Sequence, residues 1–383
     1  ALRVLMLAYK KVDDHTLYDN EQLEDQLIFT GIVGMIDPPR SKVKKSIKTC
    51  HEAGINVKMI TGDHQNTASA VAKQVGITNS DEVLTGQEIN KLDDEEFKEK
   101  IREVNVFARV FPEQKIRIVK LLKNINETVA MTGDGVNDAP ALTGADIGIS
   151  MGSGTDVAKK SSDMILENDD FSTIIYAVKE GRTIYSNIKR FIKYQLSTNI
   201  AAIITILASS ILAIPLPFNP VQLLWINIIM DGPPAQSLGV EHPDKNIMKI
   251  PPSDENILSK DNLLHITVIG LFMSIGTLGL YIYELTIGTP QLLASTIAFT
   301  VFVVYQLFNV FNCRSNTDKR NNTLIVAVVA SFILQLCAIY IPFLQTIFKT
   351  TAIPPNSWIL IIIVAFTILI VERIVRKFEN NII

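Results

Sequence analysis

Two carboxylates four residues apart follow an apolar stretch near the middle of the chain. Asp134 and Asp138 come soon after residues 128–131, which are β-branched or apolar and predict a buried parallel strand. Glycines at 133 and 135 let the backbone turn sharply and approach a ligand closely. Carboxylates at the carboxyl end of such a strand supply the hard oxygen ligands that Mg²⁺ prefers. The pattern predicts a magnesium and phosphate site, with an acidic loop that caps the next helix as the alternative.

A second Thr-Gly-Asp turn lies upstream, at residues 61–63, where another apolar stretch ends before a predicted helix. A further predicted strand, 104–110, precedes a helix that Pro112 opens and that carries Lys115 in its first turn. Because the carboxyl ends of parallel strands meet at one edge of a sheet, these groups are expected near one another. Thr61 would then contact a phosphoryl group whose charge Lys115 neutralises.

These three turns resemble the second, third and fourth motifs of the haloacid dehalogenase-like phosphotransferases. The resemblance implies that Asp134 and Asp138 hold Mg²⁺ and that Thr61, Gly62 and Lys115 bind the phosphoryl group. The first motif, which carries the nucleophilic aspartate, is missing from this sequence. The catalytic residues that follow from the resemblance are Thr61, Gly62, Asp63, Lys115, Asp134, Asn137 and Asp138.

Strand and helix patterns alternate through the first 170 residues, which predicts an α/β domain with a Rossmann-type parallel sheet. Between two of the strands, residues 79–102 form an acidic excursion to which no element is assigned. Residues 27–36, an apolar run that follows an acidic linker at 13–25, look like the tail of another domain re-entering a core. The predicted strands are 55–61, 104–110, 127–132, 145–149 and 163–166, and the predicted helices are 41–53, 64–75, 113–124 and 136–143.

The second half of the chain has the composition of a membrane domain. Hydrophobic residues make up 48% of the 383 residues and the net charge is −3, which is too apolar for a soluble protein of this length. Residues 171–195 predict one long amphipathic helix, and residues 196–214 follow without a charge. At helical rise that uncharged stretch covers about 28 Å, enough to cross a bilayer. About six spans are predicted, the others near 221–240, 263–287, 291–311, 323–343 and 355–375.

Basic residues lie mainly in the loops on one side of these spans, whereas the opposite loops contain only Lys349. The positive-inside rule therefore predicts that the phosphate domain and the carboxyl terminus are cytosolic.

Polar residues inside the predicted spans are few. Asn227 and Asp231 lie at i and i+4, on one helical face, before Gly-Pro-Pro at 232–234, and Asn199 lies on an earlier span. An acid at the bilayer centre costs about 2.5–3.5 kcal/mol on insertion scales, and such residues usually mark ion paths. The helix break frees carbonyls as further ligands. The alternative to an ion site is that Asn227 and Asp231 are a hydrogen-bonded polar pair that holds helices together.

Five segments together resemble the carboxyl-terminal half of the P-type calcium ATPases. They are residues 37–40 (Asp-Pro-Pro-Arg), 59–63, 107–115, 131–142 and 224–231. The resemblance implies that residues 1–30 end a nucleotide-binding domain and that 31–170 form a phosphorylation domain without its nucleophile strand. Residues 171–195 would form a stalk helix and 196–383 the membrane domain. Asn199, Asn227 and Asp231 would bind the transported Ca²⁺, with ATP as substrate and Mg²⁺ as cofactor.

The departures from the family pattern concern the ion site. The two-ion pump of the sarcoplasmic reticulum places Glu, Thr and Glu where this chain has Ala202, Met230 and Gln306. Residues 230–240 instead resemble the secretory-pathway calcium/manganese subtype. One ion per ATP is therefore expected, with Mn²⁺ as the alternative ion.

The expected partners are the lipid bilayer and a missing amino-terminal half that carries four spans, the actuator and nucleotide domains and the phosphorylated aspartate. No nucleic acid partner is expected. Because the nucleophile is absent and the chain begins without Met, a fragment is predicted that is inactive alone. Two other interpretations stay open: a membrane-tethered phosphatase of the haloacid dehalogenase type, and a non-catalytic half-protein.

Overall fold

The computed structural model describes residues 3–12, 24–35, 38–251 and 256–382. The chain divides into two compact units, one formed by Ala1–Ala177 with Met248–Pro252 and the other by Val178–Ile247 with Ser253–Ile383. Most of the predicted acidic linker at 13–25, and Asp37, lie outside the described residues.

The first unit begins with a two-stranded antiparallel sheet of β1 (Arg3–Tyr9) and β2 (Ile28–Met35). Apolar side chains on both strands are exposed, including Met6 at 70%, Phe29 at 59% and Ile32 at 60%. The prediction that residues 27–36 are the tail of another domain and enter a core stays a prediction. β2 pairs with β1, and no described element covers the apolar side chains of the two strands.

The rest of this unit is an α/β domain with two parallel three-stranded sheets, in the orders β3-β5-β4 and β6-β7-β8. This confirms the predicted fold class, although the parallel strands form two sheets rather than one. The strands are β3 Met59–Ile60, β4 Val83–Thr85, β5 Val106–Ala108, β6 Ala130–Gly133, β7 Ile147–Met151 and β8 Met164–Leu166. The helices are α1 Val43–Glu52, α2 Gln65–Val75, α3 Gly86–Ile89, α4 Asp94–Glu103, α5 Pro112–Asn124, α6 Ala139–Gly144 and α7 Asp156–Lys160.

The acidic excursion at 79–102 contains structure that the sequence analysis missed. β4 lies at the edge of the first sheet, and α3 and α4 follow it. Thr85 and Asp93 each accept a hydrogen bond from the N–H three residues ahead, and Glu88 and Glu96 reach back to the capping residue. A three-residue strand is too short for an alternating pattern, whereas the two capping boxes are visible in the sequence.

The described part of the domain contains three clusters of buried apolar side chains, and two of them share a neighbour on β3. Phe97, Ile101, Phe107 and Ile118 are fully buried in the first, and each such side chain contributes about 1.5–3 kcal/mol by leaving water. The second cluster is formed by Val119, Met131, Ala141, Leu142 and Ala158. Ile60, on β3, packs against both.

The second unit is a bundle of long helices. The bundle region contains α8 Ser172–Ile211, α11 Lys260–Thr286, α12 Gln291–Asn312, α13 Asn322–Tyr340, α14 Pro342–Phe348 and α15 Pro355–Ile382. Five helices in the described residues are long and apolar enough to cross a membrane: α8, α11, α12, α13 and residues 355–377 of α15. The predicted stalk helix (171–195) and the first predicted span (196–214) form a single helix of 40 residues, α8.

The remaining predicted span, near 221–240, is a broken helix. It consists of α9 (Pro220–Trp225), a π-helical turn (Ile226–Met230) and α10 (Gly232–Leu238). Together with the five long helices this is consistent with the prediction of about six spans. α12 lies at the centre of the bundle, where Phe299, Phe302 and Tyr305 are fully buried.

Candidate functional site

The upstream Thr-Gly-Asp turn is fixed to the end of β5 by main-chain hydrogen bonds. The Thr61 N–H donates to the Phe107 carbonyl at 2.9 Å, and the Val110 N–H donates to the Thr61 carbonyl at 3.1 Å. The Thr61 hydroxyl donates to the Asp63 carboxylate at 3.1 Å and accepts from the Asp63 N–H at the same distance. This turn therefore presents an exposed hydroxyl and carboxylate at the carboxyl end of β3.

Lys115 and Asp138 form an ion pair with 2.5 Å between Nζ and Oδ1. Their side chains are only 14% and 11% exposed. The other carboxylate oxygen of Asp138 accepts the Gly135 N–H at 3.3 Å. Both oxygens of Asp138 are thus engaged within the protein, which makes this residue the partner of the lysine rather than a free metal ligand in this conformation.

Gly133 is required by the close approach of Asp138 to the end of β6. A Cβ atom added at Gly133 would lie 2.5 Å from the Asp138 Cβ and 2.8 Å from its carboxyl carbon. No side chain fits at that separation, so the glycine lets the carboxylate fold back over the strand end.

Asp134 is exposed and lies apart from that ion pair, beside a cavity of about 350 Å³. Its carbonyl accepts the Thr155 N–H at 2.9 Å, which leaves the carboxylate outside the turn. Asn137 is also exposed. The cavity is lined by Arg40, Val43, Asp134, Met151, Ser153, Asp169 and Phe171.

Asp169 lines this cavity, and Asp170 follows it in the chain. The Arg40 guanidinium donates to the Asp169 carbonyl, and the Ser153 N–H donates to the Asp169 carboxylate at 3.1 Å. The hydrogen bonds from Ser153 hold the pKa of Asp169 below its usual range. The Lys42 ammonium, 2.9 Å from Asp170, lowers the pKa of that carboxyl to about 2, together with hydrogen bonds from Ser172.

The side chains around Asp134 are compatible with a Mg²⁺ ion that takes few of its ligands from the protein. Among the described residues no three His, Cys, Asp or Glu side chains are grouped to hold a metal ion on their own. Mg²⁺ usually binds one or two carboxylates and takes its other ligands from substrate phosphate and water. The exposed carboxylate of Asp134, with Thr61 and Lys115 as phosphate partners, is compatible with that mode.

Asp231 lies where the broken helix of the bundle changes from π to α. Its N–H donates to the Ile226 carbonyl, five residues back, at 2.9 Å. The residue is 0% exposed, and neither carboxylate oxygen has a hydrogen-bond partner in the described part of the chain. A buried carboxylate without a partner is costly, which marks this position as a candidate cation site.

The three predicted ion ligands do not share one environment. Asp231 is fully buried, Asn199 is half-buried and Asn227 is exposed on the π-helical turn. Asn227 lies on the π turn and Asp231 directly follows it, so the segment is not a regular α-helix; the assignment of both residues as ion ligands stays a prediction.

The bundle buries further polar residues, of which only Gln306 was singled out in the sequence. Gln306 is fully buried with both amide atoms unpartnered, and the Tyr194 hydroxyl is likewise unpartnered among the described residues. Glu372 is buried with His265 at 2.8 Å and Arg376 at 2.8 Å, and the Lys193 ammonium is 4.0 Å away. The i, i+4 spacing of Glu372 and Arg376 is the one signal of this cluster in the sequence.

Two family models match the chain. Residues 4–146 match the haloacid dehalogenase-like hydrolases, and residues 215–378 match the carboxyl-terminal region of the cation-transporting ATPases. The two matches follow one another along the chain, and the second covers helices long and apolar enough to cross a membrane, so the chain is similar to part of a cation-transporting ATPase.

Proteins similar to this chain include calcium-transporting ATPases. The chain is 43% identical to calcium-transporting ATPase 1 of Saccharomyces cerevisiae, over 97% of this chain and 41% of that protein. It is 43% identical to the calcium-transporting ATPase of Bacillus subtilis, over 94% of this chain and 42% of that protein. It is 42% identical to the human calcium-transporting ATPase type 2C member 1, over 93% of this chain and 40% of that protein. The chain thus spans about two fifths of the length of these relatives.

Proposed function

We propose that this chain is the carboxyl-terminal part of an ATP-driven calcium pump that works through an aspartyl-phosphate intermediate. The observation that carries the proposal is the fully buried Asp231, whose two carboxylate oxygens are unpartnered, in the bundle of a chain that also contains the Lys115–Asp138 phosphoryl site. The names of the relatives support calcium as the transported ion.

In this proposal the α/β domain handles the phosphoryl group. Lys115, held by Asp138, places a positive charge beside the carboxyl end of β6, and the Thr61 hydroxyl at the end of β3 donates to a phosphoryl oxygen. Asp134 would hold Mg²⁺, which neutralises charge on the phosphoryl oxygens when bound. The nucleophilic aspartate must come from a segment that precedes this sequence in the whole protein.

Two features support a missing strand in the middle of the phosphorylation domain. β3 pairs only with β5 and β6 only with β7, so each has an unpaired edge among the described strands. Ile60 of β3 packs against the core clusters of both sheets. One parallel strand between β3 and β6 would join the two sheets into one, with its carboxyl end beside Thr61, Lys115 and Asp134.

The exposed β1–β2 sheet supports the assignment of the first residues to a nucleotide-binding domain. Apolar side chains on both strands are uncovered, as expected for two strands of a larger domain whose remainder lies elsewhere in the whole protein. The basic loops support a cytosolic position for the phosphorylation domain and the carboxyl terminus.

The transported ion would bind at Asp231, with Asn199 and Asn227 as further oxygen ligands. Ca²⁺ takes six to eight oxygens, so acids from the missing spans must complete the site. Ala202 and Gln306 supply no negative charge, which supports one ion per ATP. Mn²⁺ accepts the same oxygen ligands and remains the alternative ion.

The test uses the intact protein with Asp134→Asn and Asp231→Asn as a matched pair, because each change removes one negative charge at nearly constant volume. Asp134→Asn is expected to reduce phosphorylation from labelled ATP at least tenfold and to leave equilibrium Ca²⁺ binding intact. Asp231→Asn is expected to abolish both Ca²⁺ binding and Ca²⁺-dependent phosphorylation. The present chain alone, given labelled ATP, is expected to remain unlabelled. An acid-stable phosphoenzyme on this chain alone, or Ca²⁺ binding that survives Asp231→Asn, would contradict the proposal.

A further inference from the structure

The two halves of the broken helix are tied at their outer ends by bonds of the same kind. Asn219 caps α9, and its Nδ2 donates to the Phe348 carbonyl at 2.8 Å. Asn321 caps α13, and its Nδ2 donates to the Ser237 carbonyl of α10 at 2.8 Å. Both acceptors lie in the last turn of a helix, where carbonyls have no donor from their own helix. Each asparagine thus caps one helix with its oxygen and ties it to a second helix with its nitrogen.

Further contacts join α9 to the same neighbours. The Gln222 Nε2 also donates to the Phe348 carbonyl, at 3.1 Å, and the Trp225 ring lies against the Phe348 ring with 4.6 Å between centroids. The Trp225 Nε1 donates to Gln335 Oε1 of α13 at 3.2 Å. Only Ile341 separates α13 from α14 in the chain, so both halves of the broken helix are tied to one continuous pair of helices.

The middle of the broken helix cannot fix the two halves by itself. In an α-helix or a π turn the Ile229 carbonyl would accept from the N–H four or five residues ahead, but those residues are Pro233 and Pro234, which have no N–H. The Ser331 hydroxyl of α13 is 3.4 Å from that carbonyl, longer than a normal hydrogen bond. α9 has six residues and α10 has seven, and helices this short are not stable on their own. The relative position of the two halves therefore depends on the ties at their outer ends.

We infer that Asn219 and Asn321 are positioning residues of the proposed cation site: they hold α9 and α10 in the arrangement that places Asp231 between them. The inference rests on the proposed transport function, since it concerns the same site. An ion that binds between fixed halves does not have to order them, and loss of either tie adds that cost to binding. An asparagine that served only the stability of the bundle would change the amount of folded protein, and not the ion concentration that the folded protein needs.

Asn219→Asp and Asn321→Asp test the two ties at nearly constant volume. Aspartate caps a helix as well as asparagine does, but when ionised it has no donor for a carbonyl. Asn219→Ser repeats the first test without an added charge, since serine is also a good cap. Gln345→Glu is the matched control, because Gln345 Nε2 also donates to a carbonyl, that of Ile339 at 2.6 Å, but this bond joins α14 to α13 and not to the broken helix.

The experiment measures the Ca²⁺ concentration dependence of phosphorylation from labelled ATP in the intact protein. The three asparagine variants are each expected to raise the Ca²⁺ concentration for half-maximal phosphorylation by about fivefold or more and to leave the maximum within about twofold. Gln345→Glu is expected to leave both unchanged. Equilibrium binding of labelled Ca²⁺, measured without ATP, is expected to shift by the same factor as phosphorylation in each variant.

Two outcomes would overturn the inference. One is a set of asparagine variants with the Ca²⁺ dependence of Gln345→Glu, and the other is a loss of maximal phosphorylation with an unchanged half-maximal Ca²⁺ concentration, which would indicate a structural role. Asp231→Asn in the same assay separates this failure from that of the proposed function. If Asp231→Asn abolishes the Ca²⁺ dependence while the asparagine variants keep that of the wild type, only the role of the two asparagines is refuted.

Discussion

At the scale of single residues, the phosphoryl site depends on a lysine and an aspartate that compensate each other. Lys115 and Asp138 are both largely shielded from water, and the remaining carboxylate oxygen is taken by the Gly135 N–H. Removing one member of such a pair leaves a shielded charge without its partner, which is more costly than removing both. The pair therefore affects stability as well as chemistry.

Lys115→Ala in the intact protein is expected to lower the free energy of unfolding by ~2–4 kcal/mol, because Asp138 keeps its charge without a partner. Adding Asp138→Ala should recover part of that loss while phosphorylation from ATP stays impaired in both variants. Lys123→Ala is the control, because its ion pair with Asp146 is 38% and 35% exposed and should contribute less than ~1 kcal/mol. Chemical unfolding measures the free energy of unfolding of each variant. If the losses caused by Lys115→Ala and Asp138→Ala simply add in the double variant, the two residues are not coupled.

Gly133→Ala tests the turn that brings the pair together. The new Cβ would overlap the Asp138 side chain, so the carboxylate must move and the contact with Lys115 should break. We expect phosphorylation from ATP to fall at least tenfold. Gly144→Ala is the control, since its added Cβ would meet only Val119 at 3.9 Å. Equal activity of the two variants would show that the close approach at Gly133 has no functional consequence.

At the scale of elements, the sequence predicts best where a signal extends over many residues. The long helices follow from apolar stretches of sufficient length, and strands β6 and β7 follow from apolar runs that end in glycine-containing turns. β4 has only three residues, and its pairing with β5 depends on packing that no local pattern encodes. The π turn before Asp231 is equally invisible, because the sequence gives residue spacing but not the residues per turn.

For the site, the residue types could be predicted but not all of their contacts. Asp138 was expected to bind Mg²⁺, whereas it pairs with Lys115 in this structure; the assignment to Mg²⁺ remains a prediction. The buried Glu372 was missed because it lies near the end of an apolar helix, where an acid normally reaches water. Its neighbours Lys193 and His265 come from two other helices, which only the folded bundle brings together with it.

Lys58 joins the end of α4 to the first parallel sheet. Its ammonium donates to the carbonyls of Ile101 and Val104, both at 2.7 Å, and to Asn105 Oδ1 at 2.9 Å. Burial lowers the pKa of Lys58 to about 8, partly offset by the charge of Glu127. Because this pKa is below the ordinary lysine value of 10.5, the unfolded chain binds more protons than the folded one between these two pH values.

Lys58 should make the folded protein more stable as the pH rises above 8. The cost of burying the charged amine is present in full below pH 8 and is relieved as the pH rises towards about 10.5. The difference in stability between the wild type and Lys58→Met should therefore shift in favour of the wild type over that pH range. Titration of the other groups affects both proteins alike and cancels in this difference. Thermal unfolding midpoints at pH 7 and pH 10 measure this. A difference between the two proteins that is constant with pH would contradict the role of burial.

At the scale of the whole molecule, the two proposed sites differ in chemistry and lie in two separate units of the chain. The phosphoryl residues lie in the unit of residues 1–177, and Asp231 lies in the helical unit. The relatives that it matches are more than twice as long, so both proposed sites are expected to draw residues from segments outside this sequence. For the phosphoryl site the missing group is a nucleophile, and for the cation site it is further negative charge.

The number of ions per cycle follows from that charge. A second Ca²⁺ site in the bundle would need acids where Ala202 and Gln306 stand, and Gln306 is a fully buried, neutral amide. Bringing a second divalent ion there without a carboxylate would leave its charge uncompensated in a medium of low dielectric constant.

We therefore expect equilibrium binding of labelled Ca²⁺ to the intact protein to saturate at one ion per phosphorylation site. Gln306→Ala should leave that number at one and shift the apparent affinity by less than about threefold, whereas Asp231→Asn should reduce it to zero. Two ions per phosphorylation site would refute the one-site arrangement.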